Sequence, residues 1–436
     1  MRRALRFLAD PLPSIENLRD TYGDTVHSRF GPFRFIFVHN PDDVRHVLVD
    51  NHRNYIKSRS YEGLRLVMGN GLVTSEGDFW RRQRRLSQPA FHRRRLETMS
   101  QTMADRVSLT ATQWHERSGG APLKVDFHEE MMQMTLGIVG QTLFGLDLSH
   151  ESSTLGPAVS CVLQHANEFA ESFVRIPLWV PTPSNMRFRQ QKKLLDAAVH
   201  KIISERRANP GDHGDLLSML MAVTGDSDDD RMTDAQLRDE VMTLFLAGHE
   251  TIATAMSWTF MLLSQHPEVA VRVRDELNSV LGDDPVRFED LPKLPYTGSV
   301  IDEAMRLYPP AWIIERQALE DDTVGGYRVP KGAVVAVSPW GLHHSPKLWK
   351  DPKRFDPDRF SAEARAEHPK YAYLPFGGGP RFCIGNNFAL MEAKIILATF
   401  VRQFDIDIPH TPVPIPRVTL RPVGGMPATI TATQPA

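Results

Sequence analysis

The sequence predicts a mainly α-helical fold with a smaller β region, an α+β arrangement in which all 436 residues form one domain. Apolar residues recur at helical spacing over 96–208 and again over 233–266, with few strand signals. Runs rich in aromatic and β-branched residues lie within 25–40, 310–340 and 415–432. Strands near both ends with helices between them predict one interleaved fold and not separable domains.

Composition and charge exclude several classes of protein. Hydrophobic residues make up 41% and charged residues 24% of the chain, as in ordinary globular proteins. A net charge of −2 gives no general attraction to nucleic acid. The two cysteines, Cys161 and Cys383, exclude a disulfide framework and indicate a reducing compartment. The basic start, residues 1–10, is too short for a signal peptide, and no apolar run could span a membrane, so we expect a soluble cytoplasmic protein.

Turn and cap signals predict the first elements. Residues 25–39 are predicted to form two strands around a turn at Gly31-Pro32. Asn40-Pro41 then combines a helix cap with a proline at the first helical position, which predicts a helix through about Leu48. Residues 58–78 are predicted to form a long loop with a short helix around 64–68.

A basic helical region is predicted over 79–95. Trp80 and Arg84 are four residues apart, so they share one helix face and could bind an anionic ligand inside the protein. Arg81, Arg82 and Arg85 project elsewhere and could contact an acidic partner. The alternative interpretation of the same pattern is an ordinary solvated helix surface.

The longest helix is predicted between Thr233, which forms a capping box with Gln236, and His266. Small and polar residues occupy its centre, 247–251. A mid-helix glycine costs about 1 kcal/mol relative to alanine, and a threonine can bond back to an earlier carbonyl and bend the helix. One interpretation is a close crossing of two helices. The other is a widened groove in which a small ligand lies beside Thr251 and an acid.

The flanking segments carry weaker signals. Cys161 is predicted to be a core or structural residue. Residues 206–231 are predicted to form an acidic exposed loop around a short helix at 216–221. A helix is predicted to start at Pro267 and to end at Gly282.

Further elements are predicted beyond that helix. Residues 298–308 are predicted to be helical, with Glu303 and Arg306 three residues apart and able to pair, although such pairs are common on surfaces. Residues 326–337 are predicted to form a hairpin with a Pro-Lys-Gly turn, and 418–431 to form a strand pair around two glycines.

One cysteine lies in a glycine-rich loop just before a final amphipathic helix. Residues 376–385 read Phe-Gly-Gly-Gly-Pro-Arg-Phe-Cys-Ile-Gly. The free N–H groups and the dipole at a helix start stabilise a cysteine thiolate. Arg381 can offer several donors to a carboxylate, and the glycines allow the backbone to approach a large flat group. The loop therefore predicts a thiolate that binds a metal beside an anionic group; a strand–turn–helix corner with a buried cysteine is the alternative.

Four separated motifs resemble those of one family. The loop matches F-x-x-G-x-R-x-C-x-G, and E-x-x-R lies at Glu303 and Arg306. A proline-rich arginine motif ends at Arg359, and A-G-x-E-T occupies 247–251. Over nearly its whole length the chain thus resembles the cytochrome P450 family, the haem-thiolate monooxygenases. The resemblance implies a mostly helical triangular prism with a smaller β region that encloses haem b.

The resemblance also implies roles for single residues. Cys383 would be the iron ligand, whose electron donation favours O–O cleavage, and Phe376 would shield its sulfur. Glu250 and Thr251 would supply protons for dioxygen activation in a dry pocket. His249 and His343 are assigned no chemistry. A structural triad behind the haem would be formed by Glu303, Arg306 and Arg359. The haem propionates would be held by Trp80, Arg84, Arg316 and Arg381.

A substrate pocket is implied in the same way. Its lining is predicted to be apolar, which favours a terpenoid, a fatty acid or a steroid-like substrate. Trp312 is expected to narrow the space above the haem. The predicted lining residues are Leu66, Val67, Met68, Leu244, Phe245, Ala247, Gly248, Ala311, Trp312, Ile313, Ile314 and, at the final turn 423–426, Met426.

The implied activity is insertion of one oxygen atom of O2 into a C–H bond or double bond. No flavin or iron–sulfur domain is recognisable, so electrons from NAD(P)H are expected through a separate ferredoxin or flavodoxin with its reductase. Arg81, Arg82 and Arg85 would bind that acidic partner. We expect a monomer. The alternatives are a peroxide-using or rearranging member of the family and a non-catalytic haem-binding sensor; the intact Glu250–Thr251 pair argues against both.

Overall fold

A computed structural model describes residue 7 and residues 10–147, 152–172, 174–222 and 232–433. The acidic stretch 225–230 and most of the basic start fall outside the described residues, so the predictions made for them stay untested. Within the described ranges, no helix is long and apolar enough to cross a membrane.

The helices are α1 Pro11–Tyr22, α2 Pro41–Arg45, α3 Tyr61–Met68, α4 Gly77–Ser87, α5 Arg93–Ser118, α6 Phe127–Phe144, α7 Ser152–Glu171, α8 Pro183–Ala208, α9 Leu216–Ala222, α10 Asp234–Gln265, α11 Pro267–Leu281, α12 Pro295–Leu307, α13 Pro339–His343, α14 Ala362–Glu367 and α15 Asn386–Gln403. The strands are β1 Thr25–Phe30, β2 Phe33–Val38, β3 Tyr55–Lys57, β4 Leu123–Asp126, β5 Ile314–Ala318, β6 Asp322–Val324, β7 Tyr327–Val329, β8 Val334–Val337, β9 Phe404–Asp407, β10 Pro414–Pro416, β11 Leu420–Pro422 and β12 Pro427–Ala432.

The chain folds into two compact units, each assembled from separate stretches. The first unit contains Met1–Ser60, Gly298–Cys383 and Pro414–Arg421. The second contains Tyr61–Thr297, Ile384–Val413 and Pro422–Ala436.

A five-stranded sheet with the order β1-β2-β8-β5-β3 organises the first unit. The predicted strands at 25–39 are confirmed, because β1 and β2 pair antiparallel from Thr25 opposite Val38 to Phe30 opposite Phe33. β8 lies parallel to β2 and antiparallel to β5, and all four of its residues are buried. The helix cap predicted at Asn40 is also confirmed, since its side chain accepts the Asp42 N–H at 2.8 Å.

The hairpin predicted at 326–337 is wrong. β7 pairs with β6, around Gly325 and Gly326, while β8 lies in the five-stranded sheet. The two glycines have φ of 58° and 78°, the left-handed conformations that a tight two-residue hairpin turn requires. The turn at Pro330 exists, because the Ala333 N–H donates to the Pro330 carbonyl at 3.0 Å. It connects two different sheets.

The strand pair predicted at 418–431 is also wrong. β11 pairs with β10, and β12 lies between β4 and β9 in a three-stranded sheet. Sequence reasoning missed β4 because it is short and interrupts a helical stretch. Gly425 is needed where the chain passes Asp126 of β4, since a Cβ at this glycine would lie 1.8 Å from the carboxylate.

The helix α10 is the longest element of the second unit and is largely buried. Its predicted capping box is confirmed: the Gln236 N–H donates to Thr233 Oγ1 at 3.3 Å, and the Thr233 N–H donates to Gln236 Oε1 at 2.9 Å. The helix ends before Pro267, where α11 begins as predicted. α10 packs most extensively against α6, and this contact sets the environment of its central residues.

Candidate functional site

The centre of α10 has one accessible face. From Glu240 to Leu263, every residue is buried except Ala247, Gly248 and Thr251. These three lie within one turn, so they share a face of the helix. The Thr251 hydroxyl donates to the Ala247 carbonyl at 2.7 Å, which is the back-bond that the sequence predicts. The segment therefore presents an alcohol oxygen on the only accessible stretch of this otherwise buried part of the helix.

Gly248 is explained by helix packing. A Cβ at this position would lie 2.9 Å from Cγ2 of Val139 on α6, closer than carbon atoms normally approach. The interpretation as a close helix crossing is thus correct for Gly248, while the interpretation as a ligand-binding groove stays a prediction for the accessible face beside it.

His249 and Glu250 are both buried on α10. The His249 Nδ1–H donates to the Phe245 carbonyl at 2.7 Å, and its own carbonyl accepts the Thr135 hydroxyl of α6 at 3.0 Å. These contacts give His249 a structural role. Glu250 is 2% exposed, so its carboxyl group lies in a nearly dry environment next to Thr251 in the chain.

The loop before α15 is held by its own backbone and by close packing. The Cys383 N–H donates to the Phe376 carbonyl at 3.0 Å and closes the loop. Gly377 and Gly379 have φ of 74° and 66°. A Cβ at Gly379 would lie 1.9 Å from the Leu48 carbonyl oxygen. Two of the three glycines are therefore required by the backbone conformation and packing of the first unit itself, independently of a flat ligand.

The Cys383 side chain is exposed, and Phe382 beside it is 38% exposed with its ring 6.3 Å from that of Phe376. The alternative prediction of a buried cysteine is wrong. Among the described residues, no three His, Cys, Asp or Glu side chains are placed to hold a metal ion.

The cationic residues of the basic helix α4 differ in how deeply their side chains are buried. Gln83 and Leu86 point into the unit, Trp80 and Arg84 are half-buried, and Arg81 is exposed. The exposed positions of Arg81 and Arg85 fit the predicted outer face, whereas Arg82, predicted for the same face, is half-buried like Trp80 and Arg84. The Arg81 guanidinium also pairs with Asp78 at 2.6 Å. Arg316, another of the predicted anion ligands, lies on β5 and is 7% exposed.

Glu303 and Arg306 form a fully buried pair on α12, not a surface pair. The Arg306 Nε and Nη2 groups donate to the two carboxylate oxygens at 2.6 and 2.7 Å. Arg359 approaches the same carboxylate at 3.4 Å, and the Asp356 N–H donates to it at 2.9 Å. Burial raises the pKa of Glu303, and the bonds from Arg306 oppose this rise. The three residues of the predicted triad are thus in contact.

His343 is a structural residue that sequence reasoning left without a role. Its imidazole is fully buried and accepts the Leu374 N–H at Nε2, 2.9 Å away. Its Nδ1 lies 3.2 Å from the Arg306 carbonyl, and its own carbonyl accepts from Arg306 Nη1 at 2.8 Å. Burial, assisted by the Arg306 charge, lowers the pKa of His343 well below its usual value. A neutral imidazole therefore links α12 to the segment leading into the cysteine loop.

The predicted pocket residues fall into several environments. Ala247 and Gly248 lie on the accessible face of α10, whereas Phe245 packs toward α6, with its ring 6.5 Å from Phe144. The Trp312 indole N–H donates to the Arg417 carbonyl at 2.7 Å, which fixes this side chain within the first unit. Of the remaining members, Ala311 is exposed, and Leu66 and Ile313 are half-buried. The buried members are Val67, Met68, Leu244, Ile314 and Met426.

Comparisons with known proteins identify relatives along nearly the whole chain. A family model described as Cytochrome P450 matches residues 5–427. The chain is 36% identical to cyclooctat-9-en-7-ol 5-monooxygenase of Streptomyces melanosporofaciens over 96% of its length and 87% of that protein. It is 36% identical to pentalenene oxygenase of Streptomyces avermitilis over 94% of its length and 88% of that protein. The solved structure of retinoic acid-bound cyanobacterial CYP120A1 superposes with a TM-score of 0.87 at 26% identity, over 99% of this chain and 96% of that one.

Proposed function

Because this chain belongs to the cytochrome P450 family, we propose that it oxidises a lipophilic terpenoid with electrons delivered by a separate ferredoxin or flavodoxin. Membership makes it a monooxygenase whose cofactor is a haem with a cysteine thiolate ligand. The haem, when bound, supplies the redox chemistry that activates O2.

Cys383 is the proposed iron ligand. Its thiol is exposed on a loop that is fixed by the Cys383–Phe376 backbone bond and by the close approach of Gly379 to Leu48. A ligand on a rigid loop keeps its geometry without a large loss of side-chain freedom on binding. The exposed ring of Phe382 offers apolar contact to a flat ligand. The loop thus fits a haem thiolate.

Four cationic or hydrogen-bonding side chains are proposed to bind the two haem propionates. Arg84 and Trp80 lie on the half-buried face of α4, where a carboxylate would be partly removed from water. Guanidinium groups are suited to carboxylates because they donate two parallel hydrogen bonds. The proposed set is Trp80, Arg84, Arg316 and Arg381.

Thr251 and Glu250 are proposed to move protons during O2 activation. The Thr251 hydroxyl hydrogen is committed to the Ala247 carbonyl, so its oxygen lone pairs remain able to accept a proton donor on the accessible face of α10. Glu250, which directly precedes Thr251 in the chain, is a buried acid. A buried carboxyl group and a positioned hydroxyl can relay protons where bulk water is excluded.

The similarity to terpenoid-oxidising relatives is the observation that carries the substrate proposal. Two relatives at 36% identity are named for oxidation of cyclooctat-9-en-7-ol and of pentalenene. Both names denote largely hydrocarbon molecules, and the apolar residues of the predicted lining suit such a substrate. Most of the binding free energy would then come from burial of apolar surface, at about 25 cal/mol per Å².

The electron donor is proposed to bind the exposed face of α4. Arg81 and Arg85 are exposed and four residues apart, so they project from one face of the helix. A cationic face of this kind attracts an acidic protein and speeds the encounter. From the cysteine composition we further propose a cytoplasmic location. We also propose that the enzyme is a monomer.

A carbon monoxide difference spectrum of the reduced holoenzyme tests the central assignment. We expect the long-wavelength band of a thiolate-bound haem in the wild-type protein and its loss in Cys383→Ser. Cys161→Ser is the matched control and should retain the band, because Cys161 belongs to α7 and not to the loop that carries the proposed ligand. A band that survives in Cys383→Ser would refute the assignment.

The substrate class is tested by titrating the holoenzyme with terpenes, fatty acids and steroids while following the change of iron spin state. We expect the largest response, followed by oxygenated product, with cyclic terpenes. A response confined to fatty acids or steroids would contradict the terpenoid proposal, and product formation with hydrogen peroxide as fast as with electron donors would favour a peroxide-using enzyme.

A further inference from the structure

Two neighbouring carboxylates on α10 hold the loop that follows α3. The Asn70 N–H donates to Asp239 Oδ2 at 2.7 Å, and the Leu72 N–H donates to Glu240 Oε2 at 3.0 Å. We call residues 69–75 the glycine loop. Both contacts join a backbone N–H donor of this loop to a carboxyl oxygen of α10.

Two glycines let the glycine loop lie directly on α10. Gly69 has a φ of 59°, and a Cβ there would lie 2.2 Å from Asp239 Oδ1. A Cβ at Gly71 would lie 2.1 Å from Thr243 Oγ1 and 2.6 Å from the Asp239 carbonyl oxygen. The backbone of the glycine loop therefore lies directly against α10, and even an added methyl group would push the loop away from the helix.

The glycine loop is stiffened from within. The Thr74 hydroxyl donates to the Gly69 carbonyl at 2.8 Å, and the Ser75 N–H donates to the Gly71 carbonyl at 2.9 Å. Arg65 of α3 donates to the Thr74 carbonyl at 2.8 Å. Because the loop is tied to α3, the two carboxylates hold the C-terminal end of this helix as well.

One of the two carboxylates, Asp239, is also connected to α8 through Arg238. The Arg238 Nη1 group donates to Asp239 at 2.9 Å, while its Nε group donates to Asp196 of α8 at 3.1 Å. Lys192 donates to Asp196 at 2.6 Å. A continuous series of polar contacts thus runs from α8 through the start of α10 to the glycine loop.

The position of these contacts relates them to catalysis. Glu240 and Ala247 are seven residues, about two turns, apart, and therefore lie on the same side of α10. α3 carries Leu66, Val67 and Met68, which the proposed function places in the substrate lining. Glu240 is 1% exposed, and its Oε1 has no hydrogen-bond partner within the described part of the chain, so its only bond is the one to the glycine loop.

We propose that Asp239 and Glu240 are positioning residues that hold the glycine loop closed on α10 and so limit the rate at which bulky ligands reach and leave the substrate pocket. The link to the pocket rests on the proposed function. The contact between the glycine loop and α10 does not depend on that function, because it is given by the two hydrogen bonds themselves.

Hydrogen–deuterium exchange of the holoenzyme tests the loop contact. We expect Asp239→Ala and Glu240→Ala to speed exchange at Asn70 and Leu72 by about tenfold or more, because their N–H bonds lose their acceptors. Asp239→Asn and Glu240→Gln keep an acceptor oxygen and should restore slow exchange. Unchanged exchange in both alanine variants would overturn the proposal.

Gly71→Ala disrupts the same contact from the side of the loop and leaves both carboxylates in place. It should reproduce the fast exchange, since its methyl group cannot fit against Thr243 and the Asp239 backbone. The matched control is Gly156→Ala on α7, where no atom lies within 4 Å of the added Cβ. Slow exchange in Gly71→Ala would count against the proposal even if an alanine variant failed to fold.

Stopped-flow binding of two probes tests the consequence for access. Imidazole is small and 4-phenylimidazole is bulky, and both report through the haem absorbance. We expect the association and dissociation rates of 4-phenylimidazole to rise several-fold in Gly71→Ala and Glu240→Ala, with imidazole changed less than twofold. Equal changes for both probes would indicate general loosening and overturn the gating role. If the haem-thiolate assignment failed instead, the exchange result would still stand.

Discussion

Glu303 and Arg306 form a two-pronged ion pair in which both side chains are completely buried. The other donors of Arg306 bind the carbonyls of His343, Pro352 and Arg354 at 2.8, 2.7 and 3.1 Å. The pair is therefore the point to which an irregular stretch of chain is attached before it reaches Cys383. A buried pair of this kind contributes little net stability compared with apolar residues, but removal of one partner leaves an unpaired buried charge.

We expect Arg306→Lys to lower the free energy of unfolding of the holoenzyme by about 3 kcal/mol, because a lysine cannot keep both carboxylate bonds and the carbonyl bonds. Urea unfolding followed by circular dichroism measures this loss. Arg365→Lys is the matched control: its pair with Asp302 is half-exposed, and we expect a loss below about 1 kcal/mol. Similar losses in both variants would show that burial does not distinguish the pairs.

Gly379→Ala should destabilise the cysteine loop. The residue has a φ of 66°, and the added Cβ would lie 1.9 Å from the Leu48 carbonyl oxygen. Both effects require backbone movement, so we expect a loss of about 2 kcal/mol or more in urea unfolding, together with lower haem content after purification.

Gly378→Ala is the control for this prediction. Its backbone is extended, and its nearest neighbours would be side-chain atoms of Tyr371 and Leu48 at 3.3 and 3.4 Å. Because these side chains can shift, we expect a loss below about 1 kcal/mol. An equal loss at both glycines would mean that the Leu48 contact is not the cause.

Local signals in the sequence were sufficient for much of the fold. The capping box of Thr233, the cap at Asn40 and the proline start of α11 were all predicted correctly, because each depends on residues within one helical turn. The two incorrect strand pairings depend on distant partners. β12 pairs with β4, about 300 positions earlier, and no local pattern specifies such a choice.

The chemical residues of the site were recognisable because the family motifs lie in short stretches around Cys383 and Thr251. The sequence alone could not show why particular residues are required at their positions. Gly248 is required by Val139, and Gly379 by Leu48. His343 joins Arg306 to the Leu374 backbone by contacts between separate segments. Such requirements exist only once the segments are packed together.

Thr251→Ala should uncouple electron consumption from product formation. The variant removes the hydroxyl from the accessible face of α10, and we expect product formed per NAD(P)H consumed to fall by about 10²-fold, the lower end of the range for loss of a proton-transfer group. Hydrogen peroxide should rise correspondingly. Product, peroxide and NAD(P)H are measured together in a reconstituted assay with a ferredoxin and its reductase.

Thr259→Ala is the matched control for that assay. Thr259 makes the same kind of back-bond, to the Ala255 carbonyl at 2.8 Å, but is completely buried. Its loss should lower stability without changing the product-to-NAD(P)H ratio. A Thr251→Ala enzyme with undiminished coupling would remove this residue from the proton relay.

Reversing the charge of Arg81, Arg82 and Arg85 to glutamate should slow reduction by an acidic ferredoxin about tenfold or more at low salt, because electrostatic steering is lost. In the wild-type enzyme the reduction rate should fall as ionic strength rises, whereas the variant should respond weakly. Stopped-flow absorbance measures both. The control replaces the exposed cations Arg187, Arg189 and Lys193 of α8 with glutamate and should leave reduction unchanged. Equal slowing in the two variants would exclude a specific site on α4.

Glu392 of α15 should make the stability of the protein fall as pH rises. Its carboxyl group is fully buried, has no hydrogen-bond partner among the described residues, and has a pKa raised well above its usual value by burial. In the unfolded chain a glutamate titrates near about 4.3. Above that pH the folded protein holds a proton that the unfolded chain has released, so folding becomes less favourable by about 1.4 kcal/mol per pH unit until the folded pKa is reached.

Glu392→Gln keeps the shape of the side chain and removes this titration. We therefore expect the variant to be more stable than the wild type at pH 8, with a gap that narrows as pH falls toward 5. Urea unfolding of both holoenzymes at several pH values measures the gap. Glu363→Gln, at an exposed position of α14, is the control and should show no gap that varies with pH. Parallel stability curves for the wild type and Glu392→Gln would show that the folded protein accommodates the ionised carboxylate, and the assignment of a neutral Glu392 would then be wrong.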